Sequence, residues 1–221
     1  MHRLVLASRP MPALTALRSV TAGASNQAGL LPQDPLSGLR VAYIPNANDH
    51  DPSRHFRKLI LGALRRAGLK VRVLDLAHTG RDMIARVLEE CEVIWVGGGN
   101  SFYLLQELRR SGAGQLIARL VDHGKPYVGV SAGAVVAAPD IAYIEPMDSR
   151  EMAPELQDTK GLALTGMRII PHLGNAMMGK AAKAIRDKAA KESGPSMTHA
   201  VSDMEALIVK DDEIRRLNQR D

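Results

Sequence analysis

Short apolar runs alternate with segments of helical period along most of the chain. The runs predict buried strands, because branched apolar residues cluster in them and turn-forming residues follow. These predicted strands are residues 4–7, 39–44, 71–74, 93–96, 126–130, 167–170 and 206–209. The intervening segments predict helices over residues 53–67, 82–90, 102–110, 115–123 and 177–192. Because parallel neighbours need crossover connections, the alternation predicts an α/β fold with a parallel sheet covered by helices on both faces.

Three segments carry no such pattern. Ser8-Arg9-Pro10 predicts a loop after the first strand. Residues 139–161 are rich in Pro, Met and acidic residues and predict mostly loop, with one short strand at most. Residues 211–221 predict a charged surface turn and tail. No internal repeat or linker divides the sequence, so we expect a single domain over residues 1–221.

Composition excludes several classes of protein. No stretch approaches the roughly 18 unbroken apolar residues of a membrane helix, which excludes an integral membrane protein. A single cysteine excludes a disulfide scaffold and fits a reducing compartment, so we expect a cytoplasmic protein without a membrane partner. The net charge of +5 is spread along the chain and only 3% of residues are aromatic, which argues against a nucleic-acid partner.

The N-terminal segment weakly resembles a transit peptide, since it carries Arg3, Arg9 and Arg18 and no acidic residue. Its apolar run, Leu4–Ala7, is too short for a secretory signal and is followed directly by Arg9 and Pro10. We therefore interpret this run as a core strand of the folded protein.

The strongest chemical signal is the G-x-S-x-G sequence Gly129-Val130-Ser131-Ala132-Gly133. It lies where an apolar strand ends and a run of small residues with helical character begins, which is the context of a nucleophile elbow. In such a turn the serine Oγ projects above the sheet, and the following amide points toward a developing oxyanion. A Gly/Ala-rich junction selected for tight packing alone is the alternative, and the surrounding strand and helix favour catalysis.

A second glycine-rich turn, Gly97-Gly98-Gly99-Asn100, follows another buried strand and precedes a helix. Its bare amides suit an oxyanion hole or a phosphate cradle. It matches neither the dinucleotide fingerprint nor the P-loop. Successive crossover strands would place this turn beside Ser131 at the carboxyl edge of the sheet, where clefts of α/β folds form.

A serine nucleophile needs a base, normally His, and an acid that orients it. His172 is the best candidate base of the seven histidines, because it follows strand 167–170 through Pro171 at a carboxyl strand end. Asp203 and Glu205 are the competing acids, and either can equally be an ordinary turn residue.

Neither a metal site nor a reactive thiol is predicted. Cys91 lies between two glutamates, whose charges disfavour a thiolate, and we interpret it as structural. The His, Cys and acidic residues lack metal-ligand spacing, so we expect no metal and no cofactor.

Three blocks in this order resemble serine peptidase family S51, the family of the aspartyl dipeptidase peptidase E. They are Val96–Phe102, Gly129–Ala134 and Ile170-Pro171-His172. The resemblance runs from the strand at Arg3 to the strand at Val209. It implies a class I glutamine amidotransferase-like three-layer sandwich with a mostly parallel central sheet. It also implies hydrolysis of dipeptides that begin with aspartate.

The same resemblance implies roles for individual residues. Ser131 would be the nucleophile, His172 the general base, and the amides of Gly99 and Ala132 the oxyanion hole. Asp203 takes the position of the family's glutamate, a departure that shortens the acid by one methylene.

Substrate binding follows from the resemblance in the same way. Asn100 and Arg186 are the expected contacts of a small peptide substrate, with Arg150 and Arg168 competing for its carboxylate. The protein is expected to be a monomer or homodimer.

Three other functions stay open. A cyanophycinase-like enzyme would cleave a β-aspartyl–arginine polymer and would need a broad acidic groove. An α/β-hydrolase esterase orders its triad Ser, acid, His, and would need Asp140, Asp148 or Asp158 as the acid. A catalytically silent binding module on the same fold is the non-enzyme alternative.

Overall fold

The computed structural model describes residues 2–22, 34–51, 55–192, 198–211 and 213–218. Its strands are β1 (Arg3–Ala7), β2 (Arg40–Ile44), β3 (Lys70–Val73), β4 (Val93–Val96), β5 (Tyr127–Val130), β6 (Arg168–Leu173), β7 (Thr198–Ser202), β8 (Glu205–Lys210) and β9 (Glu213–Asn218). Its helices are α1 (Pro10–Thr21), α2 (His55–Arg66), α3 (Arg81–Glu90), α4 (Ser101–Arg110), α5 (Ala113–Asp122), α6 (Ala132–Val135) and α7 (Gly179–Glu192). Short 3-10 turns lie at Asn46–Asn48, Ala142–Ile144 and Arg150–Met152.

Seven strands form one sheet in the order β3-β2-β4-β5-β1-β8-β9. The strands from β3 to β1 run parallel, and β8 and β9 are antiparallel additions at one side. The parallel sheet expected from the alternating pattern is therefore confirmed. In β4, Ile94 and Val96 enter one core while Val93 and Trp95 enter the other. Both faces of the sheet are covered, as a continuous apolar run predicts.

Strands β6 and β7 form a separate two-stranded parallel sheet. The sequence pattern predicted β6 but not β7, whose outer residues are only half-buried. The pairing is irregular between Ile170 and Leu173, where the register shifts. This small sheet packs beside α6 and α7 and brings residues 168–173 to the end of the main sheet that carries the β5–α6 junction.

Two predictions at the ends of the chain are wrong. The loop after β1 is only Ser8 and Arg9, because helix α1 begins at Pro10 with proline in its first turn, where no amide donor is needed. Residues 213–218, predicted as part of a charged tail, form β9, paired in register with β8. Edge strands tolerate exposed charges, and this one carries them.

The remaining predicted strands, helices and loop agree with the structure within a few residues. The segment 139–161 is mostly loop, with two 3-10 turns and a single bridge between Asp140 and Lys160. The predicted start of the helix at residue 53 lies outside the described residues, and α2 is described from His55. Among the described residues, no helix is both long and apolar enough to span a bilayer.

Candidate active site

Ser131 occupies a sharp turn between β5 and α6. Its backbone angles are φ 52° and ψ −111°, a conformation that non-glycine residues rarely adopt. A Cβ at Gly129 would lie 2.4 Å from the Gly133 carbonyl oxygen, and one at Gly133 would lie 2.3 Å from the Val96 carbonyl oxygen. The glycines of the motif are therefore required by close backbone contacts, and the turn they permit exposes Ser131 at the sheet edge.

Neighbouring backbone fixes this turn. The Ser131 amide donates to the Ala7 carbonyl at the end of β1 at 2.8 Å. The Ser131 carbonyl accepts from the amides of Ala134 and Val135 at 2.9 and 3.0 Å. Hydrogen bonds of both its amide and its carbonyl therefore stabilise the strained backbone conformation of Ser131.

Ser131, His172 and Asp203 form one hydrogen-bonded chain. The Ser131 Oγ lies 2.9 Å from His172 Nε2, and His172 Nδ1 lies 2.7 Å from Asp203 Oδ1. The carboxylate only accepts when ionised, so it selects the tautomer with the proton on Nδ1. Nε2 is then free to accept the Ser131 hydroxyl proton. The His172 ring is nearly buried, at 7% exposure, which shields this hydrogen bond from competing water.

Two further residues contact the second oxygen of Asp203. Asn175 Nδ2 donates to Asp203 Oδ2 at 2.6 Å, and an Arg9 guanidinium nitrogen lies 3.1 Å from the same oxygen. Burial alone would raise the pKa of Asp203, but the hydrogen bonds from His172 and Asn175 and the charge of Arg9 outweigh burial and hold it below its usual value. Asp203 is therefore ionised at neutral pH. Sequence reasoning missed both Asn175 and Arg9.

Glu205, the competing acid, has a different position. Its carboxylate accepts from the Ser202 amide at 2.8 Å and pairs with Arg216 at 3.2 Å. These contacts close the turn between β7 and β8, and they leave Asp203 as the acid on His172.

None of the three acids that an α/β-hydrolase order would use is hydrogen-bonded to His172 among the described residues, and Asp148 accepts the Ser101 amide instead. Asp140 accepts from the Ala142 amide and from Thr159, and Asp158 pairs with Arg109. Along the sequence, the three hydrogen-bonded residues therefore occur in the order Ser131, His172, Asp203, and not in the α/β-hydrolase order Ser, acid, His.

The glycine turn after β4 lies against Ser131. A Cβ at Gly98 would be 2.9 Å from the Ser131 Cβ, and Gly99 has a φ of 141°. A Cβ at Gly99 would be 1.9 Å from the carbonyl oxygen of Ala47, which also accepts the Asn100 amide at 2.7 Å. Within the part of the chain that the structure describes, the amides of Gly99 and Ala132 have no hydrogen-bond acceptor. They are thus available to a ligand.

The residues predicted to contact the substrate lie in different parts of the structure. Asn100 caps α4: its side chain accepts from the Tyr103 amide at 2.9 Å and donates to the Ser149 carbonyl at 2.8 Å. Arg186 lies on α7 and pairs with its neighbour Asp187 at 2.8 Å. Arg168 lies 5.8 Å from the centre of the Tyr143 ring.

Arg150 lies on an open groove of about 490 Å³ lined by residues 145–151. At this groove, Asp148 Oδ2 accepts the Ser101 amide at the N-terminus of α4 at 2.8 Å. Burial raises the pKa of Asp148, and the hydrogen bond from the Ser101 amide only partly offsets this effect. Arg150 lies 4.0 Å from Glu145. The groove therefore offers a half-buried carboxylate and a partly exposed guanidinium.

Other reactive groups are structural or absent from the described part. Cys91 is buried, and burial raises the pKa of its thiol. Across the described ranges, no group of three or more His, Cys, Asp or Glu residues could hold a metal ion.

The chain is similar to proteins that are named as peptidases. The chain is 38% identical to the uncharacterized peptidase Lin0382 of Listeria innocua over 180 residues, 81% of this chain and 84% of the relative. It is 39% identical to peptidase E of Streptomyces coelicolor over 145 residues, 65% of this chain and 54% of that protein. A crystal structure of a candidate peptidase E protein from Listeria monocytogenes EGD-e superposes with a TM-score of 0.84 and 31% identity, covering 99% of this chain and 98% of the other.

The fold and the family model give the same assignment. The mostly parallel sandwich is of the class I glutamine amidotransferase type, as the resemblance of the sequence implied. The model of peptidase family S51 matches residues 29–217, a range that contains Ser131, His172 and Asp203. The chain therefore belongs to peptidase family S51 and is a hydrolase of the peptidase class.

Proposed function

We propose that the protein is a serine peptidase that hydrolyses dipeptides with an N-terminal aspartate through an acyl-enzyme on Ser131. The observation that carries this proposal is the continuous chain from Ser131 Oγ through His172 to Asp203. A nucleophile, its base and an ionised orienting acid are the complete set that acyl transfer requires.

In this mechanism His172 Nε2 takes the Ser131 hydroxyl proton as Oγ attacks the peptide carbonyl carbon. The oxygen of that carbonyl becomes an anion facing the amides of Gly99 and Ala132, which have no other acceptor among the described residues. The C–N bond then breaks, and His172 returns the proton to the leaving amine. Water repeats the sequence on the ester: His172 removes its proton, the carbonyl carbon accepts the hydroxyl group, and Ser131 leaves with the proton.

Preference for an N-terminal aspartate is supported by the two charges at the groove. Such a residue brings an α-ammonium group and a β-carboxylate to the same side of the scissile bond. The half-buried carboxylate of Asp148 suits the ammonium, and the guanidinium of Arg150, which is 43% exposed, suits the carboxylate as a bidentate partner. Arg150 lines the groove and lies 4.0 Å from Glu145, whereas Arg186 lies on α7 in a tighter pair with Asp187, so Arg150 replaces Arg186 as the proposed cation.

The test is hydrolysis of Asp-Leu compared with Asn-Leu, Ala-Leu and N-acetyl-Asp-Leu, with Ser131→Ala as the control for contaminating peptidases. Asn-Leu removes only the carboxylate charge, and acetylation removes only the ammonium charge. We expect Asp-Leu alone to be cleaved efficiently. Arg150→Met is expected to lower kcat/KM for Asp-Leu by roughly 10²-fold, the usual cost of truncating one partner of a desolvated charge pair. Arg186→Met is the matched control and is expected to have no effect.

A second candidate, cleavage of β-aspartyl–arginine bonds, is favoured by Glu145 and Glu151, which line the groove together with Asp148 and could face an arginine side chain. A β-Asp-Arg dipeptide in the same assay distinguishes the two. Cleavage of this substrate in preference to Asp-Leu would replace the first proposal. If no substrate is cleaved and a fluorophosphonate does not label Ser131, the protein is a silent binding module on this fold.

A further inference from the structure

Ser8 is a buried polar residue at the end of β1, with 2% of its surface exposed. The strand that it follows lies between β5 and β8 in the main sheet. The preceding residue, Ala7, accepts the Ser131 amide through its carbonyl. The position of Ser8 is therefore fixed relative to the nucleophile by a backbone contact one residue away.

The Ser8 hydroxyl reaches across to the other sheet. Its Oγ accepts the backbone amide of His172 at 2.9 Å and donates to the carbonyl of Val201 at 2.8 Å. His172 lies on β6 and Val201 on β7, two residues before the acid Asp203. One hydroxyl thus contacts both strands of the small sheet that carries the base and leads to the acid.

The backbone of His172 needs such a partner. Its φ is 65°, and the β6–β7 register shifts between Ile170 and Leu173, so its amide does not join the ladder between these strands. A buried amide without an acceptor is costly. The acceptor that the fold supplies is Ser8 Oγ, which makes the position of His172 depend on β1 and not only on its own sheet.

We infer that Ser8 is a positioning residue that sets the separation between Ser131 and His172. Ala7 and Ser8 are consecutive, and one holds the backbone of the nucleophile while the other holds the backbone of the base. The two sheets are joined at this dipeptide, and the 2.9 Å contact between Ser131 Oγ and His172 Nε2 depends on that junction. This inference rests on the proposed role of Ser131 as a nucleophile with His172 as its base.

The test compares Ser8→Ala with Tyr143→Phe as a matched control. The Tyr143 hydroxyl donates to the Ile169 carbonyl and accepts the Ile169 amide, at 2.8 and 3.2 Å, three residues before His172 on the same strand. Both substitutions therefore remove one hydroxyl with two backbone contacts to the small sheet, but only Ser8 contacts the base. The readouts are the melting temperature, kcat and KM for Asp-Leu, and the rate of Ser131 labelling by a fluorophosphonate.

We expect both variants to melt at a lower temperature than the wild type. Ser8→Ala is expected to slow fluorophosphonate labelling and to lower kcat, each by on the order of 10²-fold with little change in KM, because a misplaced base slows proton transfer but leaves the groove intact. Tyr143→Phe is expected to retain the labelling rate. Ser8→Thr keeps the hydroxyl and is expected to restore most of the rate, whereas Ser8→Cys, which keeps the size but bonds weakly, is not.

Equal labelling rates in the wild type and Ser8→Ala would overturn the inference, as would equal loss in Ser8→Ala and Tyr143→Phe. If Ser8→Ala does not fold, the comparison of Ser8→Thr with Ser8→Cys decides in the same way. Labelling of the wild type without cleavage of Asp-Leu would overturn the proposed substrate and leave the role of Ser8 measurable. A wild type that is not labelled at all would overturn the proposed nucleophile and this inference together.

Discussion

The Arg9 guanidinium lies 3.1 Å from Asp203 Oδ2, while the other carboxylate oxygen of Asp203 accepts the hydrogen bond of His172. Arg9 belongs to the two-residue connection between β1 and α1, and its side chain is 48% exposed. A cation at this position favours the ionised form of Asp203. The ionised state of Asp203 therefore depends in part on a residue that is distant from the substrate groove in the sequence.

Removal of the Arg9 charge is expected to shift the pH dependence of activity. In Arg9→Gln the pKa of Asp203 rises toward its usual value, so the acidic limb of kcat/KM moves to higher pH. An exposed ion pair contributes about 0.2–1 kcal/mol, equivalent to a shift of roughly 0.2–0.7 pH units. Arg9→Lys keeps the charge and is expected to keep the wild-type profile. A shift in Arg9→Lys as large as in Arg9→Gln would show that geometry and not charge is responsible.

Substitution of each acid in turn is expected to show whether Asp203 or Glu205 orients His172. Asp203→Asn can donate to Nδ1 and so favours the wrong His172 tautomer, which costs on the order of 10⁴-fold in kcat in serine peptidases with this arrangement. Glu205→Gln is the control, because Glu205 contacts Ser202 and Arg216 at the β7–β8 turn and not the base. It is expected to lower the melting temperature and to keep kcat. A large loss of kcat in Glu205→Gln with an active Asp203→Asn would reverse the assignment.

The sequence was sufficient to predict the elements whose residues are determined by their own pattern. The continuous apolar run of β4 requires a strand buried on both faces, and the glycines around Ser131 permit the turn that the structure shows. Helix α1 is not predicted from the sequence, because Pro10 after Ser8 and Arg9 is typical of a loop, although proline is well tolerated in the first turn of a helix. Strand β9 was missed because its charged residues are typical of a surface turn as well as of an edge strand.

The contacts around the triad could not be predicted in the same way, because they join segments that no local pattern connects. Asn175 and Arg9 approach Asp203 only once β6 and β7 pair and β1 enters the main sheet. Nothing in the sequence distinguishes Asp148 from an ordinary loop residue. Its contact with the Ser101 amide at the N-terminus of α4 depends on the tertiary structure. Residue types at predicted strand ends therefore pointed to Ser131 and His172, which the structure places 2.9 Å apart, but the charges that surround them required the structure.

Replacement of Asp148 is expected to stabilise the protein while it impairs activity. Burial raises the pKa of this carboxyl in the folded state, so keeping it ionised at neutral pH costs stability. That cost falls as the pH decreases through the folded-state pKa and disappears below the pKa of the unfolded chain, about 3.9. Asp148→Asn, which can still accept the Ser101 amide, should therefore melt higher than the wild type at pH 7 and equally near pH 3.5.

Asp148→Asn is also expected to be less active than the wild type on substrates that carry a free ammonium group. Loss of the anion proposed to bind the substrate ammonium is expected to lower kcat/KM for Asp-Leu by roughly 10²-fold. N-acetyl-Asp-Leu has no ammonium, so its slow hydrolysis should be unaffected by the substitution. A variant that melts lower than the wild type at pH 7, or that loses activity equally on both substrates, would assign Asp148 a structural role.

The glycine turn after β4 gives a prediction about the stability of the protein. At Gly99 a new Cβ would overlap the Ala47 carbonyl oxygen at 1.9 Å, in addition to the strain of a φ of 141°. The clash is with backbone, which cannot rotate away, so Gly99→Ala is expected to lower the free energy of unfolding by about 4 kcal/mol or more in urea titrations. Gly38→Ala separates the two causes, because Gly38 has a φ of 81° but no atom within 4 Å of its added Cβ. This control should lose only about 1–3 kcal/mol, the cost of a strained backbone. Equal losses would mean that the turn can move away from Ala47, and the amide of Gly99 would then not be held in a fixed position for an oxyanion.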